Sequence, residues 1–234
     1  MKNKSFSTAS GAVLALGTAF LAISPDAAAQ IVTYNIAGVG ADAVTATASV
    51  GSGVDPLNTT DLIAGTGLTR ESSAGALLFT GWTTAAEPYF QFTVAPQANY
   101  TITYQSMDFS AARTFAFGGV LLGPQTWQLQ YKTGSDWIPL GTTVSIAGSG
   151  DLEEVLGSFN LSPIGEQAGA VSFRLFGSDA TTESALGGLA AWSGEGGNLV
   201  INGLAVPEPQ QYAMLAGLGL LAFAAYRRYS FQKA

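Results

Sequence analysis

The chain has 234 residues, enough for one ordinary domain with targeting segments at its ends. Charged residues make up 11% and hydrophobic residues 47%, against about 25% charged in a typical soluble protein. Cysteine and histidine are both absent, which excludes disulfides, thiolate metal centres, the usual zinc sites and the Ser-His-Asp and Cys-His routes to an activated nucleophile.

Lys2 and Lys4 precede an apolar, small-residue stretch over 9–23, followed by Ser24, Pro25, Asp26 and then Ala27-Ala28-Ala29. A basic start, a short apolar middle and an Ala-x-Ala site are the three parts of a secretory signal peptide. Signal peptidase is expected to read Ala27 and Ala29 and to leave Gln30 as the first mature residue. The chain then divides into a signal peptide over 1–29, a body over 30–205 and a tail over 206–234.

Between residues 30 and 206, four basic residues (Arg70, Arg113, Lys132 and Arg174) stand against fourteen acidic ones, a net charge of −10. Such a body repels nucleic acid and anionic headgroups, so no nucleic-acid partner is expected. Cations and neutral polymers such as polysaccharides remain open to it.

The body reads as β throughout. Phe90, Phe92 and Val94 alternate with Gln91 and Thr93, and Tyr100, Ile102 and Tyr104 alternate with Thr101, Thr103 and Gln105. Trp127, Leu129 and Tyr131 alternate with Gln128, Gln130 and Lys132, and Val171, Phe173 and Leu175 with Ser172 and Arg174. Each pattern turns one face to a core and one to water. The turn residues of 133–136 are expected to pair 127–132 with 137–140. Further strands are expected over 32–36, 76–79, 142–147, 156–161 and 199–204. The Gly-, Ala- and Thr-rich stretches 41–75 and 181–197 read as surface loops, the first with one or two weak strands. The fold class is therefore all-β: a two-sheet antiparallel jelly-roll sandwich, flanked by an N-terminal signal helix and a C-terminal hydrophobic helix.

The tail has three parts in order: Pro207-Glu208-Pro209, an apolar run over 212–226, and Arg227-Arg228. The run is shorter than the roughly 20 residues of a full span, and the arginine pair is expected to hold its end on the cytoplasmic side. This tail resembles the PEP-CTERM sorting signal of Gram-negative bacteria that make extracellular polysaccharide. The resemblance implies an exosortase-type membrane protease as partner, acting on Pro207, Glu208 and Pro209, with a transmembrane helix before processing. It also implies export across the inner membrane to the envelope, cell surface or biofilm matrix.

From 89 to 204 the order of features is similar to jelly-roll domains found ahead of such tails. The matching stretches are Phe90 to Val94, Met107-Asp108-Phe109-Ser110 with Arg113, Gly123 to Tyr131, Ser172 to Phe176, and Leu199 to Gly203. That group resembles galactose-binding-like and carbohydrate-binding modules in fold. Its members commonly carry an acidic residue before the last strand, where this chain reads Gly196-Gly197-Asn198. No cofactor is expected beyond the structural calcium ion common in jelly-roll modules, for which Asp108, Asp136, Asp151, Asp179 or loop carbonyls would supply oxygen ligands. No EF-hand loop is present.

Aromatic rings stack on sugar faces while short polar side chains bond the hydroxyls. Trp82, Tyr89 and Trp192 sit in or beside loop-like segments and are the glycan-binding candidates; Trp127 and Trp137 read as core. Arg113 and Arg174 are expected to pair with Asp108 or Glu87 in buried or half-buried positions. Asp151, Glu153 and Glu154 form the densest carboxylate cluster, in what reads as a solvated loop, and no catalytic pair is expected from it. The leading expectation is a non-enzymatic exported protein associated with exopolysaccharide. A structural or adhesive surface protein acting through protein contacts is the alternative, and a carboxylate-based glycoside hydrolase or lyase stands behind both.

Overall fold

The computed structural model describes residues 29–116, 120–121, 123–146, 152–191 and 197–232. Ala27 of the expected cleavage site, Asp151 and the glycan candidate Trp192 lie outside the described residues.

The strands in chain order are β1 (Ala29–Tyr34), β2 (Thr45–Ala46), β3 (Ala48–Val50), β4 (Leu62–Ala64), β5 (Thr69–Glu71), β6 (Ala76–Thr80), β7 (Tyr89–Val94) and β8 (Tyr100–Ala116). They continue as β9 (Val120–Leu121), β10 (Thr126–Lys132), β11 (Ile138–Ser145), β12 (Leu152–Asn160), β13 (Glu166–Gln167), β14 (Val171–Ser178), β15 (Gly187–Ala190) and β16 (Leu199–Pro207), before the helix α1 (Pro209–Gln232). Among the described residues these strands form two antiparallel sheets. The larger runs β3-β1-β16-β8-β15-β6-β5, with β9, β12 and β13 also paired to the long β8. The smaller runs β11-β10-β14-β7-β4-β2. The chain is the all-β two-sheet sandwich that alternation predicts.

The inward faces meet in one core. Phe90, Phe92 and Val94 of β7, Trp127 and Leu129 of β10, and Phe173 and Leu175 of β14 are buried from the smaller sheet. Tyr104, Met107, Phe109, Phe159, Leu199 and Ile201 close over them from the larger one. Burial of each such side chain stabilises by roughly 1.5–3 kcal/mol. Ring pairs such as Phe92–Phe173, with centroids 5.1 Å apart, and Phe109–Phe159, at 5.5 Å, add about 0.5–1.5 kcal/mol each.

Four local expectations are corrected. The two strands expected over 137–140 and 142–147 are one strand, β11, paired to β10 with a bulge between Gln128 and Gln130. The stretch 41–75 holds β2, β3, β4 and β5, and 181–197 holds β15, which lies between β8 and β6. Glu153 and Glu154 lie in β12 rather than in a solvated loop, opposite Arg113 and Ala112 of β8. Finally, α1 forms over the tail, yet no helix among the described residues is long and apolar enough to cross a membrane. The apolar run 212–226 is bounded by Gln210-Gln211 and Arg227-Arg228, so any window of spanning length takes in amide or guanidinium side chains. The helix expected as transmembrane is thus present, but its apolar part is shorter than a span.

At the junction with α1, β16 keeps its pairing to β8 past residue 205, as far as Pro207 opposite Tyr100. The Glu208 N–H then donates to the Asn99 carbonyl at 2.8 Å. Two residues of the Pro-Glu-Pro motif are thus bound to the sandwich through their backbone.

Candidate functional site

Alternation decides which side chains leave the core. In β14, Val171, Phe173 and Leu175 point inward, so Ser172, Arg174 and Phe176 point out. Register then lines up Gln130 of β10, Arg174 of β14, Gln91 of β7 and Ile63 of β4 in one row across four strands. The next rows hold Gln128, Phe176 and Tyr89 on one side and Lys132, Ser172 and Thr93 on the other. The outer face of the smaller sheet is therefore a surface of amides, hydroxyls and rings.

Arg174 organises that face. Its guanidinium lies 4.2 Å from the Tyr89 ring centroid and 4.1 Å from that of Trp137, so a ring covers it on each contact. Its Nε donates to Gln91 Oε1 at 2.8 Å. Tyr89 is further covered by Phe176, with centroids 4.9 Å apart, and Lys132 Nζ stands 5.7 Å from the Trp137 centroid. Alongside runs a groove of about 300 Å³ lined by Ile63, Gly65, Thr66, Glu87, Gln91 and Arg174, among others.

Burial pushes the Tyr89 hydroxyl up to about 12, with the hydrogen bond to Glu87 adding to it. Tyr89 therefore remains a neutral donor at physiological pH. The same bond is the main reason that the Glu87 carboxyl lies below its ordinary value of 4.5, and the Thr66 N–H, 3.2 Å from Glu87 Oε2, adds to it. Asp55 is lowered in the same way, first by Asn58 and then by the Leu57 N–H. A carboxyl lowered on folding stabilises fully above its unfolded value and loses that contribution as pH falls through the folded one. Thermal midpoints are therefore expected to hold above about pH 5 and to fall below about pH 4.5. In Glu87→Gln the acid-side decline should be shallower, which thermal melts at a series of pH values will read.

Trp137, expected in the core, belongs to this outer face. The alternation of β10 does not carry its phase through the turn of 133–136, and β11 begins only at Ile138, so the ring is free to fold out over Arg174. Trp82, expected as a glycan platform, is a core residue at 4% exposure. Its Nε1 donates to the Phe79 carbonyl at 2.7 Å and its ring meets Trp127 edge-on at 5.4 Å. Tyr89 does lie on the outer face, at 5% exposure beneath Phe176 and Arg174. The structure thus separates Trp82 from Tyr89 and brings Tyr89 together with Trp137.

Arg70 and Arg113 are engaged internally. Arg113 faces inward, away from Asp108, and donates to the carbonyls of Gly123 and Ile146 at 3.2 and 3.0 Å. Arg70 is enclosed by backbone carbonyls. Arg174 contributes the smallest of the effects on the Glu87 carboxyl, while its direct contacts are Gln91 and the Tyr89 and Trp137 rings. Among the described residues no three Asp or Glu side chains gather as a metal centre would need. Asp108 in particular accepts hydrogen bonds from Ser106, Ser158 and Asn202.

No protein-family model matches the chain, and no curated protein sequence matches it. Among solved structures it is similar to the F5/8 type C domain of a Bacteroides fragilis protein, at 9% identity over 68% of this chain and 99% of that one, with a TM-score of 0.30.

Proposed function

We propose that this is an exported, non-enzymatic envelope or extracellular-matrix protein that associates with exopolysaccharide through the outer face of its smaller sheet. The observation that carries the reading is the stack of Trp137, Arg174 and Tyr89 set within rows of Gln128, Gln130 and Gln91. Cation–π contacts from Arg174 and Lys132 fix the Trp137 ring, and a ring so fixed loses little freedom when a pyranose packs on it. The amides beside it both donate and accept, as sugar hydroxyls require. Glu154, the one side chain described from the carboxylate cluster, accepts a 2.6 Å bond from Ser110, which suits a cross-strand tie better than acid catalysis.

The signal peptide over 1–29 and the Pro207-Glu208-Pro209 tail ending in Arg227-Arg228 support export from a Gram-negative cell, with signal peptidase and an exosortase-type protease as processing partners. Protein recovered from the cell surface should begin at Gln30 and lack the arginine pair by mass spectrometry. The binding reading is tested by retention of the full chain on the exopolysaccharide of the producing strain. Trp137→Ala should weaken retention about tenfold, equivalent to roughly 1.4 kcal/mol. Retention that is absent at high protein concentration, or unchanged in Trp137→Ala, would overturn the site.

A further inference from the structure

The opposite face of the sandwich carries a second groove of about 370 Å³, lined in part by Gln30, Asp108, Leu156, Ser158, Asn198 and Asn202. Strand alternation builds it as it builds the first face. Met107 and Phe109 of β8 point into the core, which turns Ser106, Asp108 and Ser110 outward. Register sets Asp108 between Ser158 of β12 and Val200 of β16, and sets Asn202 between Ser106 of β8 and Gln30 of β1.

Asp108 is held from three strands. Ser158 Oγ donates to its Oδ1 at 2.6 Å, while Asn202 Nδ2 and Ser106 Oγ donate to its Oδ2 at 2.5 and 3.3 Å. Asn202 Nδ2 also donates to Ser106 Oγ at 3.0 Å, which commits both of its hydrogens and leaves Oδ1 as an acceptor. Asn198 is the complement: its Oδ1 takes the Ala37 N–H at 3.2 Å, leaving Nδ2 as a donor. The groove therefore offers a fixed acceptor, a fixed donor and the remaining lone pairs of a carboxylate. Beside them Leu156 stands 59% exposed from β12.

We infer that this groove is a second saccharide site, selective for neutral sugars with adjacent hydroxyls. Each hydroxyl of a vicinal diol both donates and accepts, which matches Asn202 Oδ1, Asn198 Nδ2 and Asp108. Leu156 and Val200 supply an apolar patch for the C–H face of a pyranose. Among the described residues one carboxylate and no basic side chain line the groove, so uronates and sulphated sugars are repelled. The inference rests on the polysaccharide reading of the first face and adds a consequence to it. Two sites on opposite outer faces of a sandwich engage different polymer strands, so the protein cross-links them.

The test is the stoichiometry of the full chain by titration calorimetry, using oligosaccharides cut from neutral galactomannan and xyloglucan, with oligogalacturonate as the charged control. Two neutral ligands per chain are expected, with at least tenfold weaker uptake of the charged one at the second site. Leu156→Glu, on an exposed position, should leave one site and abolish the light scattering that cross-linked polymer gives; Asp108→Ala should do the same if it folds. Trp137→Ala should remove the other site. One site in the unaltered chain, lost in Trp137→Ala, overturns the second groove and leaves the first face standing. One site lost only in Leu156→Glu sinks the first face instead, and no uptake of any saccharide sinks both.

Discussion

Arg70→Met is expected to destabilise the sandwich by about 3–5 kcal/mol, a loss of roughly 6–20 °C in thermal midpoint for a domain of this size. Arg70 Nε donates to the Ala43 carbonyl at 2.7 Å, and Nη2 donates to Ala41, Ser73 and Ala76 at 3.0, 3.0 and 2.8 Å. Nη1 reaches Leu78 at 3.0 Å and also the carbonyl of Glu71. These carbonyls belong to the loop over 41–43, the turn before β6, and the β5–β6 pair, so one guanidinium joins three segments that have few large apolar side chains of their own. Methionine removes the guanidinium, whose Cζ stands 5.7 Å from the Phe79 ring centroid, and leaves the carbonyls to find water. Lysine would not rescue the loss, because a point charge with three donors cannot match a planar fork with five. Urea unfolding of the two variants is the measurement. Arg70→Met within 1 kcal/mol of the unaltered chain would show that the cage is decorative.

A loss of similar size, about 4 kcal/mol or more, is expected from Gly188→Ala. Gly188 lies in β15 with φ +156, and a Cβ there would stand 1.9 Å from the Leu77 carbonyl oxygen. That oxygen belongs to the neighbouring strand β6 and cannot yield as a flexible side chain would. Its neighbour Gly187 would meet the Pro124 ring at 2.5 Å in the same way. The glycine pair is what lets a strand enter between β8 and β6 at all. The variant should expose this local edge in hydrogen exchange before the remainder of the core opens. If Gly188→Ala unfolds at the same urea concentration as the unaltered chain, the close approach at β15 is wrong.

The two halves of the molecule were unequally legible. Strands β7, β10 and β14 bury one face and, Tyr89 apart, leave the other partly open, so their periods of two were plain in the sequence. β15 is Gly187-Gly188-Leu189-Ala190, buried at all four positions, and it carries neither alternation nor size to mark it. β8 runs on to Ala116 past the expected 105, because its outward residues Ser110 and Ala112 are buried as well and the polar half of the pattern fades. Trp82 follows Gly81 and precedes two threonines, which looks like a loop; the turn at Gly81, φ +86, instead carries the ring back between the sheets. The candidate face was half legible. Arg174 in an outward position of a strongly alternating strand was a signal available from sequence. That Trp137 and Tyr89, from separate segments, would close on it depends on register across three strands, which no local pattern records. The Asp108 groove is of the same kind, since its residues come from β1, β8, β12 and β16.

The terminal strand has a mechanical meaning. β16 is bonded along both edges, to β1 and to β8, and it passes into α1 through Pro207 and Glu208 with no slack between. A pull along the strand axis through the helix would load many of these bonds in shear at once instead of opening them one by one. A chain pulled by that end would yield last along β16.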